Sequence, residues 1–241
     1  MLLTLSNLKA LQTDFVPQLV SNFETAFSVK LTDEANTIRD VLGQIDDRLF
    51  QSYTNPTSAT LHTVIQEGIT AADWVPTTSR PEQVKPYVYT TMLTLVLVHT
   101  EITTTIAVQQ GTSLPSISSS SAQANPLLTS VLTYLVTKIS TSLLTAFQSR
   151  PRYTLPALMQ ATLDTEFIAQ TMAQYVTEEA SSIQSQIYLE LDRRTNNEAR
   201  AKLQAELGGM RGILKKLREH TKGEFACFRK VRSGVKGTTH T

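Results

Sequence analysis

The chain has 241 residues, 41% of them hydrophobic and 7% aromatic, with nine glycines and nine prolines. That is enough apolar material for a real core and too little glycine and proline for a turn-rich β-sandwich or barrel. The net charge of +1 argues neither for nor against a polyanionic partner, and the single Cys227 excludes an intramolecular disulfide framework and suits a reducing compartment.

Met1-Leu-Leu-Thr-Leu lacks a basic leader region and polar residues soon follow, so no signal peptide is read and a cytosolic chain is expected. In residues 2–29, Leu5, Leu8, Leu11, Phe15, Leu19 and Phe23 form a helical stripe, with a kink expected at Pro17. Thr32-Asp-Glu opens a second helix carrying Ile38, Val41, Leu42, Ile45, Leu49 and Phe50. A shorter helix over 57–67 is expected to end at Gly68. Gly68 to Ser79 reads as an irregular connection around Trp74, the only tryptophan.

The next stretch, Lys85 to Ile102, reads KPYVYTTMLTLVLVHTEI and admits four readings. A membrane span is rejected on length, since the uncharged run Pro86–Val98 has 13 residues where spanning needs about 20. A strand would need sustained alternation, which is absent. Val88, Met92, Leu95, His99, Ile102 and Ile106 recur at helical steps instead. Ser79-Arg-Pro-Glu82 has the form of a capping box, so the spacing predicts one long buried helix over 80–109. The Thr and Val content works against that helix at a modest cost.

The fourth reading, a metal enzyme built on His99-x-Glu101, fails on two counts. A zinc deaminase also needs a Pro-Cys-x-x-Cys partner, and the chain has one cysteine. On a helix, positions i and i+2 point about 200° apart. His99 is therefore expected as a core histidine.

Gln109 to Asn125, QQGTSLPSISSSSAQAN, has no periodicity and predicts a disordered loop. Asn125-Pro126 starts a helix to about Gln148, with Leu128, Val131, Leu132, Leu135, Ile139, Leu143 and Phe147 on one side. Arg152 to Tyr175 follows, and Thr177-Glu-Glu starts another helix with Ile183, Ile187 and Leu191. The last helix is predicted from Asn196 to about Lys230, with Leu203, Leu207, Met210, Leu214 and Leu217 in near-heptad order. No internal repeat of fixed period is present. The fold class is thus all-α, an elongated rod of stacked antiparallel helical bundles. Its expected parts are a first bundle over 1–110, the Ser-rich loop 111–125, a second bundle over 126–232 and a disordered tail 233–241.

No catalytic constellation emerges. His62, His220 and His240 lie far apart in sequence. Asp46-Asp47 reads as a solvated helix face and Glu178-Glu179 as the acidic first turn of a helix. Cys227, between Phe225 and Phe228, reads as a small core residue. Gly208-Gly-Met-Arg-Gly212 lacks the strand and residue order of a phosphate loop and is expected to loosen the last helix or admit another helix close by. An enzyme is not expected, nor a metal or other cofactor.

One asymmetry remains. Glu190 to Lys236 holds 13 basic and 6 acidic residues, net +7, against 9 and 15, net −6, elsewhere. Arg211, Lys215, Lys216, Arg218, Lys222, Arg229, Lys230 and Arg232 form a basic cluster beside an apolar stripe. They are either a solvated face docked on the chain's own acidic helices, or a contact for an acidic partner or an anionic membrane leaflet.

A resemblance carries further than these patterns. Leu2-Leu-Thr-Leu-Ser-Asn7, Ile45-Asp-Asp-Arg-Leu-Phe-Gln-Ser-Tyr53, Asp73-Trp74, Pro86-Tyr-Val-Tyr89, and Val98-His-Thr-Glu-Ile102 occur in this order. Tyr153-Thr-Leu-Pro-Ala-Leu-Met-Gln-Ala-Thr-Leu-Asp164 and Phe225-Ala-Cys-Phe228 follow. The ordered set resembles the C-terminal part of exocyst complex component 2, in a fungal-like wording, within the vesicle-tethering helical-rod family. The resemblance implies a piece of a tether that holds secretory vesicles at the plasma membrane before SNARE-driven fusion, with other exocyst subunits as partners and no catalytic residues. It implies a cytoplasmic location, peripheral at plasma-membrane sites of polarised secretion. The family's N-terminal assembly coiled coil and its GTPase-binding immunoglobulin-like domain are not matched, so this chain is expected to be an excised C-terminal segment without their functions. The alternative is a membrane-surface module that sets the basic C-terminal helix on anionic lipids. No nucleic acid and no small-molecule substrate are expected.

Overall fold

A computed structural model describes residues 1–109 and 125–229. The Ser-rich stretch and the tail, with His240, lie outside these residues. Among the described residues the fold is all-α, with no strand and one isolated parallel bridge between Tyr153 and Thr195.

The helices are α1 (Leu2–Ala10), α2 (Val16–Phe27), α3 (Thr32–Thr70), α4 (Pro86–Gln109), α5 (Pro126–Gln148), α6 (Leu155–Thr171), α7 (Glu178–Arg193) and α8 (Asn197–His220). A π-helical turn, Leu11–Phe15, joins α1 to α2. The irregularity expected at Pro17 is therefore a widened turn just upstream, where the missing proline N–H would break the regular ladder. Three predicted starts are confirmed with their caps. The Asn125 side chain accepts from Leu127 N and Leu128 N, Thr177 from Ala180 N, and Asn196 from Ala199 N.

Three boundaries differ from expectation. α3 runs unbroken for 39 residues through Pro56, where two helices were expected. Pro56 is exposed, so the carbonyl it leaves without a partner can turn to water. The long helix expected over 80–109 starts at Pro86, because Ser79 to Lys85 is held in irregular form by tertiary hydrogen bonds described below. α8 ends at His220, and a turn leads to a single 3₁₀ turn, Ala226–Phe228.

α5 lies at the centre. Val131, Leu132, Leu135 and Ile139 are fully buried, packed in one cluster with Leu61, Ile65 and Ile69 of α3 and with Ile187 and Leu191 of α7. α4 contributes Val88, Met92, Leu95 and Ile102, all at 0% exposure, which bears out the helical reading of Lys85 to Ile102. α6 is buried almost all round and carries α8 on its outer side. Trp74 anchors the connection between α3 and α4, with its ring 6.0 Å from that of Phe147 and the Arg150 guanidinium 4.5 Å above it. Arg150 Nε also donates to the Ile69 carbonyl at 3.1 Å, placing a cation at the C-terminal end of α3.

Length does not exclude a membrane crossing as the sequence suggested. α4 and α5 each offer 23 residues long and apolar enough, in α4 because the helix continues past His99 and Glu101. In the fold the buried rows of α5 and the inner row of α4 pack against neighbouring helices, while Leu93, Leu97 and Val108 of α4 are exposed.

Candidate interaction surface

The basic cluster is positioned by α8. Met210 and Leu214 are buried and Leu203, Ile213 and Leu217 half-buried, all against the core cluster, so the helix is fixed by its apolar row. Residues outside that row turn to solvent. Arg211, Lys215 and Lys216 are exposed on this outer side. Lys222 pairs with Glu219 at 3.0 Å, and this pair together with Lys215 and Arg229 draws the Glu219 carboxyl below its ordinary value.

Arg218 and Arg229 do something else. Arg218 donates to the Gln170 side-chain oxygen at 2.9 Å, tying α8 to the end of α6. Arg229 donates to the Arg218 backbone carbonyl at 3.0 Å and so closes the turn after α8. Of the eight predicted residues, the structure thus brings Arg211, Lys215 and Lys216 onto one exposed side of α8 and leaves Lys222 exposed in the turn that follows, while Lys230 and Arg232 lie outside the described residues.

The glycines of α8 divide in the same way. Gly208 and Gly212 face open space, whereas a Cβ on Gly209 would lie 3.1 Å from the Arg80 guanidinium, which pairs with Glu206. What comes close at Gly209 is a side chain from the Trp74 connection rather than another helix.

His99 is half-buried, edge-on to Phe228 at 6.0 Å, and burial lowers its pKa. Glu101 points away from it and accepts from the Tyr53 hydroxyl at 3.0 Å. Cys227 is half-buried, and burial pushes its thiol up to about 11, so it carries no nucleophilic thiolate near neutral pH. His62 Nδ1 lies 3.1 Å from Ser142 Oγ, a link between α3 and α5. Among the described residues no group of three or more His, Cys, Asp or Glu converges as a metal site would require.

One polar centre escaped the sequence reading. Asp164, on α6, is fully buried and accepts from the Lys85 backbone N–H at 3.1 Å, the Gln160 amide at 2.8 Å and the Tyr87 hydroxyl at 3.0 Å. The Trp74 indole N–H faces the same carboxyl without reaching hydrogen-bond geometry. Burial pushes the Asp164 carboxyl up to about 7, and the donors around it only partly offset that. Gln160 also donates to the Gln83 carbonyl at 3.1 Å. Together these bonds pin the connection 71–85 onto α6 and set the first turn of α4, a structural role. The signal in the sequence was a lone carboxylate in a helix otherwise read as core.

A family model for exocyst complex component Sec5 matches residues 1–228. No curated protein and no solved structure gives a match.

Proposed function

Because the chain belongs to the family of exocyst complex component Sec5, we propose that it is a structural segment of the exocyst that helps hold secretory vesicles at the plasma membrane before SNARE-mediated fusion. A place in the exocyst, among its other subunits, follows from family membership. The finer assignment, the C-terminal part of component 2 acting peripherally at sites of polarised secretion, is supported by the ordered segments from Leu2 to Phe228 quoted above. The observation that carries the reading is the extent of the match, which takes in every helix among the described residues. What the molecule offers on that framework is helix faces, the means by which helical rods contact one another.

The test is cross-linking of the chain within the complex reconstituted from all its subunits. Cross-links from helix faces of this chain to other subunits are expected. Their complete absence in an otherwise assembled complex would sink the scaffold reading.

A second reading rests on the exposed Arg211, Lys215 and Lys216 of α8 together with Lys222 in the turn after it. Each basic residue near an anionic leaflet contributes about 1 kcal/mol, felt within about a Debye length of 8–10 Å. Liposome flotation separates the two. A scaffold segment binds anionic liposomes weakly at physiological salt. Strong, salt-sensitive flotation that vanishes when Lys215, Lys216, Arg218 and Lys222 are changed together to Glu would favour the lipid reading; the same variant with Arg218 retained controls for its bond to Gln170.

A further inference from the structure

The N-terminal stripe is buried at Leu5 and Leu8 and exposed from Leu11 to Phe23. Phe15, Leu19 and Phe23 of the first arm, and Ile38, Val41 and Ile45 of α3, are between 42% and 70% exposed. Their neighbours one residue on, Val16, Val20 and Glu24 and likewise Leu42 and Asp46, are half-buried. Those neighbours form the seam of a helical hairpin, closed at its tip by Ser28 in the left-handed region (φ 57°) and by Leu31 N donating to Glu24 Oε1 at 2.8 Å.

The geometry then fixes where the exposed rows point. Each residue advances the helix about 100°, so both exposed rows precede their seam by roughly a quarter turn. An antiparallel pair is related by a two-fold axis perpendicular to the plane of the two helices. Equivalent rows on the two arms therefore emerge on the same side. The six residues line one apolar trough between two helices, the groove that a third helix fills in a bundle.

Charge narrows the occupant. Residues 11–50 hold seven acidic and three basic residues, net −4, and Glu34 continues the α3 row toward the tip of the hairpin. A second copy of the same hairpin would bring two such charges together, which disfavours self-association. We infer that this trough receives an amphipathic helix of another exocyst subunit, one with an apolar row flanked by basic side chains. The inference rests on the scaffold reading and adds the surface and the chemistry of its partner to it. The apolar rows supply affinity, and the negative hairpin supplies steering and selectivity against acidic helices.

The experiment measures association of the full chain with the remaining exocyst subunits, reconstituted together. Leu19→Gln, Phe23→Gln and Val41→Gln combined are expected to weaken association by about 10-fold or more, since central apolar anchors dominate such interfaces. These residues are exposed, so helical content should be unchanged. Hydrogen exchange of the unaltered chain gives a second readout: amides of α2 and the first half of α3 should slow on assembly. Association and protection unaffected by the triple change would overturn the trough while leaving the scaffold reading intact. No association of the wild-type chain would overturn the scaffold reading, and this inference with it. Dimerisation of the chain alone, lost in the triple variant, would assign the trough to a second copy and overturn the heterotypic partner.

Discussion

The Tyr87 hydroxyl donates a 3.0 Å hydrogen bond to Asp164 Oδ2, and both residues are buried where the first turn of α4 meets α6. The bond joins a carboxylate to the only irregular connection between long helices in the first half of the described chain. Loss of the acceptor would strand the Lys85 amide and the Tyr87 hydroxyl and leave the Gln160 amide with the Gln83 carbonyl alone.

Asp164→Ala should therefore destabilise by about 2–4 kcal/mol, the scale for unsatisfied buried donors. Asp164→Asn separates charge from hydrogen bonding. The folded-state pKa of about 7 lies above the ordinary 3.8, so the folded chain holds its proton more tightly than the unfolded one. That contribution to stability is complete below about pH 4, declines as pH rises, and levels off above about pH 7. Urea unfolding of the wild type should show the decline, and the Asn variant should lose it. An unchanged pH slope in the Asn variant would contradict the assignment.

Gly68 and Gly43 both lie within α3 and should respond oppositely to alanine. A Cβ on Gly68 would lie 2.4 Å from Tyr87 Cβ, so α3 and α4 would have to separate. On Gly43 it would meet nothing within 4 Å. Gly68→Ala should cost about 2–3 kcal/mol in spite of its better helix propensity, and Gly43→Ala should gain about 0.5–1 kcal/mol. Thermal unfolding of the two variants side by side tests the pair; equal shifts would refute the close approach.

At the hairpin tip, Ser28 holds φ 57°, a conformation that costs a side chain and suits glycine after a helix. Ser28→Gly should raise stability by up to about 1 kcal/mol. If the variant is instead less stable, the left-handed turn does not persist in solution.

Substituting His99 by Leu continues the Met92–Ile106 row and should change stability by about 1 kcal/mol or less near neutral pH. Burial lowers the imidazole pKa, so the wild type loses some stability as pH falls through its ordinary value of 6.5, and the Leu variant does not. Metal analysis of the purified wild type provides the sharper check: stoichiometric zinc, removed by this change, would revive the metal reading of His99.

Periodicity and capping chemistry made most of the helices readable. Asn125, Thr177 and Asn196 are local signals, since a side chain three residues or fewer away decides the outcome. The errors share a different cause. Ser79-Arg-Pro-Glu82 has the residues of a capping box, but Asp164 and Gln160, some eighty positions away, claim that backbone. The break expected between Phe50 and residue 57 is bridged by one helix through Pro56, whose continuation places Leu61 and Ile65 in the core. The stripe from Leu11 to Phe23 correctly announced helices and said nothing of what covers them. A periodic row specifies a face, and its partner can lie on another chain. The basic cluster was visible as charge, while the inward turn of Arg218 depended on where Gln170 came to rest.

The unbroken α3 has a mechanical consequence. At 1.5 Å per residue its 39 residues extend about 58 Å. Its outer half carries the exposed hairpin, and its inner half is locked in the bundle by Leu61, Ile65 and Ile69. Two shorter helices with a loop between them would let the hairpin swivel. A continuous spar instead carries force along its length, so a pull at Ile38 is felt as torque on the core at Ile65, and the backbone bond missing at Pro56 marks the point where it would first bend.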